Sequence, residues 1–176
     1  SSKAISHCIG KGYSSLRKMD ATDMSFKDNT FDLILCSDVL EHIEDKRAIK
    51  EITRVLKKEG LFVFSVPAHN YLWGPTDEIS QHKKRYEKKD LLSLLSKDYK
   101  ILKLSYWNAT MFLPDLIFIK FINLFGKGKE KKNALEFIPK ILNDIICTFL
   151  YIENRLFIRF NNPQGVSIVG VAQKNT

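Results

Sequence analysis

Cysteine is scarce in this sequence, and the three cysteines present, Cys8, Cys36 and Cys147, lie far apart. An odd, scattered set forms neither a disulfide framework nor a metal-binding pattern, so we expect a cytoplasmic chain without a metal site. We find no signal-peptide pattern, and no apolar run reaches the roughly 18 residues that a membrane-spanning helix needs. These absences argue against a disulfide-stabilised or membrane-spanning class.

Acidic residues are outnumbered, with 20 Asp and Glu against 28 Lys and Arg, which gives a formal net charge of +8. Basic clusters lie at Lys83-Lys84-Arg85 and at Lys127 to Lys132. Such charge suits an anionic partner, such as nucleic acid or an anionic membrane, although lysine-rich composition gives the same charge without a function. No base-stacking motif accompanies the charge, so we expect no nucleic-acid binding.

Hydrophobic patterning predicts a strand–helix–strand unit near the start of the chain. Phe31 and Leu33 to Cys36 are apolar, with Asp32 near the entrance, and this short run is typical of a buried, central parallel strand. Glu44 to Lys58 has one apolar and one charged face, and Glu59-Gly60 is predicted to end this helix. Leu61 to Val66 is a second apolar strand. Two buried strands joined by one helix predict a parallel sheet.

The rest of the chain is predicted to complete a single domain, residues 1–176. Further helices are predicted at residues 2–9 and 88–96, and further strands at 14–19, 99–107 and 166–172. Residues 1–108 and 161–176 would form the sheet core, and 109–160 a helical insertion interrupted by a flexible basic linker, 126–132. Ala68 to Tyr86 is a long segment without clear periodicity, and loops of that length are often functional.

Several blocks of residues 14–67 together resemble a class I S-adenosylmethionine (SAM)-dependent methyltransferase, close to the type 11 small-molecule branch. They are Asp20-Ala21-Thr22-x-Met24-x-Phe26, Asp28 to Ile34, Asp38-Val39-Leu40-Glu41-His42-Ile43 and Arg54-Val55-Leu56-Lys57-x-x-Gly60. Gly165 to Ala172 resembles the last strand of that family. The resemblance implies an α/β, Rossmann-like, mostly parallel sheet with a helical insertion before the last strand, and SAM as the cofactor.

The resemblance also implies roles for four cofactor-binding residues. Asp20 would accept a hydrogen bond from the adenine amine, and the backbone N–H of Ala21 would donate one to a ring nitrogen. Ser37 would contact the methionine moiety, and His42 would line the pocket beside the sulfonium. The alternatives are that Asp20 only caps a turn and that His42 is scaffold.

Substrate chemistry is predicted in the segment Ala68 to Tyr86, where Gln81 to Tyr86 resembles a His-x-x-Arg-Tyr signature of a subgroup of these enzymes. The candidate catalytic residues are His82, His69, Arg85 and Tyr86. Either histidine could act as general base for a hydroxyl acceptor, and the arginine could hold a phosphate or carboxylate. The alternative is that His82 and Arg85 brace the loop against Asp77 or Glu78. Methyl transfer depends above all on in-line positioning, so a base is not obligatory.

The glycine-rich turn with which the family begins, and its following acidic residue, are not in this sequence. We therefore expect an N-terminally truncated methyltransferase domain with poor cofactor affinity, unless another chain, as in a homodimer, or a segment outside this sequence supplies the missing loop. The alternative function is a non-catalytic remnant or interaction module that no longer binds the cofactor.

The helical insertion is predicted to cap the substrate pocket. The alternative is a membrane-facing surface in which Phe112, Phe118, Phe121 and Phe125 enter an anionic membrane and the linker lysines contact its headgroups. The acceptor would then be lipid-linked, and the protein peripheral at the inner face of the membrane. Otherwise we expect a small-molecule acceptor.

Overall fold

The computed structural model describes residues 2–125, 139–157 and 160–176. The helices are α1 (Ser2–Gly10), α2 (Asp45–Val55), α3 (Pro75–Ile79), α4 (Lys88–Leu95), α5 (Ala109–Phe125) and α6 (Lys140–Phe157). The strands are β1 (Phe31–Ser37), β2 (Leu56–Pro67), β3 (Tyr99–Trp107) and β4 (Ser167–Lys174). Two short 3-10 helices, Leu40–His42 and Asn70–Leu72, follow β1 and β2.

The four strands form one sheet in the order β1-β2-β4-β3. Strands β1 and β2 are parallel, and β4 runs antiparallel to both of its neighbours, β2 and β3. Three strands therefore run in one direction and only β4 opposes them. The predicted α/β class with a mostly parallel sheet is confirmed, as are the predicted helices near α1 and α4 and the predicted strands near β3 and β4.

The predicted central position of the first strand is wrong. Strand β1 is at the edge of the described sheet, and Leu33 and Leu35 on it are 54% and 67% exposed. Residues 14–19, predicted as a strand, have no regular structure. An apolar run shows that a strand is suited to burial, but it does not show whether a neighbour is present on each side of it.

The boundary between α2 and β2 also differs from the prediction. The helix ends at Val55 rather than at Glu59-Gly60, and both of those residues belong to β2. Pairing of Leu56 with Phe31 extends the strand backwards, and Thr30 donates its backbone N–H to the Val55 carbonyl at 2.7 Å. Glu59 adopts a φ of 60°, where the register between β1 and β2 shifts.

The core lies between the sheet and the helices α2 and α4. The apolar face predicted for the first of these helices is confirmed, because Ile49, Ile52 and Val55 are buried. Aromatic side chains from β2 fill the sheet side of the core, and Phe62 and Phe64 stack with ring centroids 5.1 Å apart. Gly170 on β4 allows the close approach of Phe64, whose ring would lie 2.2 Å from an added Cβ.

The segment before β1 is attached to α2 through Arg54. This guanidinium donates to the carbonyl oxygens of Met24 and Phe26 and to the carboxylate of Asp28, each at 2.7 Å. Glu51, one turn earlier, accepts from both Arg54 and the Met24 backbone N–H. The irregular chain between α1 and the sheet is therefore held by one ionic network.

The helices of the insertion, α5 and α6, pack against each other. Buried Glu153 on α6 accepts backbone N–H groups from Ala109 and Thr110, at 2.6 and 2.8 Å, and so caps the start of α5. The predicted linker, 126–132, lies outside the described residues. Among the helices that the structure describes, none is long and apolar enough to cross a membrane.

Candidate functional site

Two strand ends place polar groups at the carboxyl edge of the sheet. Ser37 ends β1 beside Ser65 of β2, with their hydroxyl oxygens 2.9 Å apart. The Asp38 backbone N–H donates to the Ser65 carbonyl at 3.0 Å, and Asp38 adopts a φ of 51°. Since ligands of open α/β sheets bind at this edge, the segments that cross it form the candidate site.

The loop 68–86 is held across this edge by one buried carboxylate. Asp77 accepts two hydrogen bonds from Arg85, at 2.8 and 3.0 Å, one from His82 Nδ1 at 2.8 Å and one from the Gly74 backbone N–H at 2.8 Å. Burial acts to raise the pKa of Asp77, but these donors outweigh it and the pKa lies below its ordinary value. Asp77 is therefore an anion around which the loop is built.

These contacts agree with the bracing alternative for His82 and Arg85. Arg85 also donates to the Ala68 carbonyl at 3.1 Å, and its side chain is only 11% exposed, so it is not free to bind an anion as it stands. His82 keeps one ring nitrogen, Nε2, that Asp77 does not engage. A catalytic role for either residue stays a prediction.

Tyr86 is completely enclosed beneath the loop. Its hydroxyl contacts the Leu40 carbonyl and the Asp45 carboxylate, both at 3.1 Å, and only 1% of the residue is exposed. Burial raises its pKa far above the ordinary tyrosine value, and the Asp45 charge adds to the effect. These contacts fix the loop to α2 and to the first 3-10 helix, and the predicted catalytic role of Tyr86 has no support from them.

His69 lies directly after β2 and has the geometry of an oriented base. Its Nδ1 lies 3.1 Å from the Glu87 carboxylate, so Nδ1 carries the proton and Nε2 keeps its lone pair. The ring is stacked between Tyr71 and Tyr106, each with a centroid distance of 4.8 Å, and Phe112 of α5 contacts its edge. Nε2 is buried without a hydrogen-bond partner among the described residues.

The backbone at His69 is strained, with a φ of 62°. A left-handed conformation is uncommon for a non-glycine residue, and such residues cluster at functional sites. The strained backbone is held by a hydrogen bond from His69 N–H to the Tyr86 carbonyl at 3.0 Å. Strain, an oriented ring and a buried lone pair make His69 the strongest of the predicted catalytic candidates.

A second polar cluster lies where the first 3-10 helix meets the loop. It contains Glu41, His42 and His82. One carboxylate oxygen and one nitrogen from each histidine all lie within 4.8 Å of one another. Glu41 is fully buried, and neither of its carboxylate oxygens has a hydrogen-bond partner among the described residues. Burial raises the pKa of Glu41 above the ordinary glutamate value.

Asp20 and Ala21 lie on the irregular segment before β1. The Asp20 carboxylate accepts hydrogen bonds from the backbone N–H and the hydroxyl of Thr22, at 2.8 and 2.7 Å. These contacts are those of a turn cap, as in the alternative role considered for Asp20. The same two bonds lower the pKa of Asp20, and the side chain is exposed. An exposed carboxylate that stays ionised fits an acceptor of the adenine amine, so both roles are compatible with the structure.

Asp77 and Glu87 are not among the site residues predicted from the sequence, and Glu41 is predicted to be scaffold rather than catalyst. The sequence predicts Asp77 only as a brace, and Glu87 lies just past the segment in which chemistry is predicted. A charged residue directly after a His-x-x-Arg-Tyr run is a weak signal by itself. The partnership of Glu87 with His69, 18 positions earlier, depends on the return of the loop to the sheet, where Ala68 bridges to Tyr86.

Comparison with known proteins agrees with this architecture. Residues 2–64 match the family model of a methyltransferase domain. A candidate methyltransferase from Bacillus halodurans has a similar structure, with a TM-score of 0.58 and 20% identity, covering 97% of this chain and 77% of that chain. The resemblance to class I SAM-dependent methyltransferases is thereby confirmed.

Two curated proteins are similar over part of the chain. An uncharacterised protein of Methanocaldococcus jannaschii is 39% identical over 95 residues, which are 53% of this chain and 40% of that protein. Norajmaline N-methyltransferase of Rauvolfia serpentina is 34% identical over 71 residues, 40% of this chain and 24% of the plant enzyme. Each match therefore spans less than half of the relative's length.

Proposed function

We propose that this chain, in which residues 2–64 match a methyltransferase-domain family model and the fold resembles that of class I methyltransferases, transfers a methyl group from SAM to a small-molecule or lipid-linked acceptor. The observation that carries the proposal is His69 at the carboxyl edge, where ligands of this fold bind. Glu87 orients its ring, and its Nε2 has no hydrogen-bond partner among the described residues. When bound, SAM supplies an electrophilic methyl group on its sulfonium. Asp20 and Ala21 would hold the adenine, and Ser37 and His42 the methionine end.

The protein's own part in the reaction is to orient the acceptor and to remove a proton from it. Glu87 fixes the His69 ring with the Nδ1 proton towards the carboxylate, so Nε2 is the atom that takes the acceptor's proton. The protonated ring would then be stabilised by the Glu87 charge. This chemistry suits a hydroxyl acceptor, because an alcohol must lose its proton as the new carbon–oxygen bond forms.

The aromatic surroundings of His69 favour an acceptor with an apolar body. Tyr71, Tyr106 and Phe112 enclose the ring, and Nε2 is covered in this conformation. Tyr71 is 53% exposed, so its displacement is the simplest way for an acceptor to reach the base. Phe112 comes from α5, which supports the interpretation of the insertion as a cap over the acceptor.

The outward faces of the insertion favour a lipid-linked acceptor over a freely soluble one. On α5, Leu113, Ile117, Phe118 and Phe121 are exposed at helical spacing. On α6 the exposed apolar residues, again at helical spacing, are Ile141, Ile145, Phe149 and Ile152. Large apolar faces of this kind are suited to contact a membrane. Phe112 instead faces His69, so it is not among the residues we propose at a membrane.

Transfer of a radiolabelled methyl group from SAM tests the proposal. The acceptor panel should contain hydroxyl-bearing small molecules and lipid-linked sugars, the latter in anionic vesicles. We expect labelled product with the wild type, at least about 100-fold less with His69→Gln, as for the loss of a general base, and unchanged product with His7→Gln on α1. Equal activity of wild type and His69→Gln would contradict the role of His69, and vesicle flotation without binding would remove the membrane-linked acceptor.

A further inference from the structure

The carboxylate of Glu41 has an environment that the methyl-transfer proposal does not explain. The residue is fully buried, and both of its oxygens lack a hydrogen-bond partner among the described residues. Buried carboxylates are normally hydrogen-bonded, ion-paired or coordinated to a metal, because an unpaired one carries a large desolvation penalty. The side chains nearest to these oxygens therefore indicate which ligand the site takes.

Two histidines face this carboxylate from different segments. His42 Nε2 lies 3.9 Å from Glu41 Oε1. The His42 and His82 rings meet edge to face, with centroids 4.8 Å apart. One ligand atom from each of the three residues lies within 4.8 Å of the other two.

We propose that Glu41, His42 and His82 form a binding site for a first-row divalent metal ion of the Zn²⁺ or Co²⁺ type. Imidazole and carboxylate together are ligands that these ions prefer. Metal bonds of about 2.0–2.2 Å place neighbouring ligand atoms roughly 3.4 Å apart, so closure around an ion requires shifts of about 1 Å. Three protein ligands leave further coordination positions open, and the 37% exposure of the His42 side chain gives solvent or a ligand access to the site.

The outer contacts of His82 are those of a metal ligand. Its Nδ1 donates to the buried Asp77 carboxylate at 2.8 Å, which assigns the proton to Nδ1 and leaves the Nε2 lone pair free. A histidine that ligates a metal through one nitrogen typically donates the other to a carboxylate or carbonyl, and this contact fixes the tautomer and the ring orientation. Arg85 holds the same carboxylate in place through two hydrogen bonds.

The backbone also holds the ligands together before any ion arrives. Lys83, the residue after His82, donates its backbone N–H to the Glu41 carbonyl at 2.7 Å. This bond attaches the loop that carries one proposed ligand to the 3-10 helix that carries the other two. The His82 N–H donates to the Asp77 carbonyl at 2.8 Å. A prearranged set of ligands is expected to bind a metal more tightly than flexible surface residues do. The inference rests on these contacts alone and does not require the chain to transfer methyl groups.

Calorimetric titration of the intact chain with ZnCl₂, paired with the visible absorption of its Co²⁺ complex, tests the site. We expect one equivalent of Zn²⁺ to bind, and Co²⁺ to give d–d bands without the near-ultraviolet thiolate band of a cysteine site. His42→Gln and His82→Gln should each weaken binding by more than the roughly 10–100-fold that loss of an outer contact costs. His7→Gln, which removes an exposed histidine outside the cluster, should leave binding unchanged.

The His82→Gln variant could fail to fold because His82 is more buried than His42. In that case His42→Gln alone tests the metal site, since His42 is the most exposed of the three residues. Its thermal midpoint without metal should equal that of the wild type, and only the wild type should gain stability on addition of Zn²⁺. Absence of one-equivalent binding would overturn the proposal. So would equal affinity of the wild type and His42→Gln, or a thiolate band in the Co²⁺ spectrum.

Discussion

Replacement of Asp77 by asparagine is expected to be the most destabilising conservative change in the loop over the candidate site. Asp77 is fully buried, and the Arg85 side chain that it pairs with is only 11% exposed. An asparagine removes the negative charge and places an amide N–H₂ among groups that are themselves donors. Removing one partner of a buried ion pair costs about 3–5 kcal/mol, because the other charge stays buried without compensation.

Thermal and urea unfolding measure this cost. For a domain of this size, 3–5 kcal/mol corresponds to a decrease in the thermal midpoint of roughly 6–20 °C. Asp32→Asn is the matched control, because it makes the same chemical change in an exposed pair with Lys57, where Asp32 is 84% exposed. Exposed pairs contribute about 0–1 kcal/mol. Similar midpoints for the two variants would refute the argument that the loop is built around Asp77.

A double mutant separates the loss of the pair from the loss of packing. Arg85→Met removes the cation and keeps much of its apolar stem, so Asp77→Asn combined with Arg85→Met should cost clearly less than the sum of the two single changes. Additive costs would mean that the two side chains do not act as a pair. The same unfolding measurements provide this result.

Three further predictions concern the attachment of the early segment and the packing of the sheet. Arg54→Met should lower the urea midpoint, because the Met24 carbonyl and its neighbours lose charged donors; an unchanged urea midpoint would contradict this. Hydrogen bonds from Arg54 and then from Met24 lower the pKa of Glu51 to about 2, from 4.5 when unfolded. The stabilisation by ionised Glu51 is complete above pH 4.5 and lost as the pH falls towards 2, so the stability advantage of the wild type over Glu51→Gln should shrink over that range. A constant difference between the two would count against the network. Gly170→Ala should cost about 1–3 kcal/mol, because the added methyl group meets the Phe64 ring at 2.2 Å; a variant as stable as the wild type in urea would show that the ring can shift without cost.

The part of the fold that sequence reasoning predicted well is local. The apolar periodicity of α2 and the apolar run of β2 are properties of short windows, and their order gives the parallel pair with β1. The position of β1 in the sheet is not a local property. Leu33 and Leu35 satisfy the pattern of a buried strand, yet their exposure depends on which other strands are present beside them.

In the candidate site, too, the sequence predicted local features but not those that depend on the folded chain. The family resemblance pointed to Ser37, and the long segment that follows the second apolar strand pointed to His69. The contact between His82 and Asp77 was foreseen as the bracing alternative, since the two residues lie five positions apart. The contact of His69 with Glu87 and the approach of His82 to Glu41 could not be predicted, because both depend on the loop folding back. Sequence spacing carries no signal for a ligand set divided between positions 41–42 and 82. Metal sites are recognised in a sequence when their ligands lie a few residues apart, which these three do not.

An NMR titration of the isotope-labelled chain with S-adenosylhomocysteine tests whether the cofactor binds at the carboxyl edge, because amide shifts reveal even weak binding and locate it. We expect saturable shifts at the amides of Asp38 and His42, at the carboxyl edge, and of Ala21, and weaker binding by Asp20→Ala. Absence of shifts at millimolar ligand, or shifts confined to a distant element such as α6, would contradict a cofactor site at this edge.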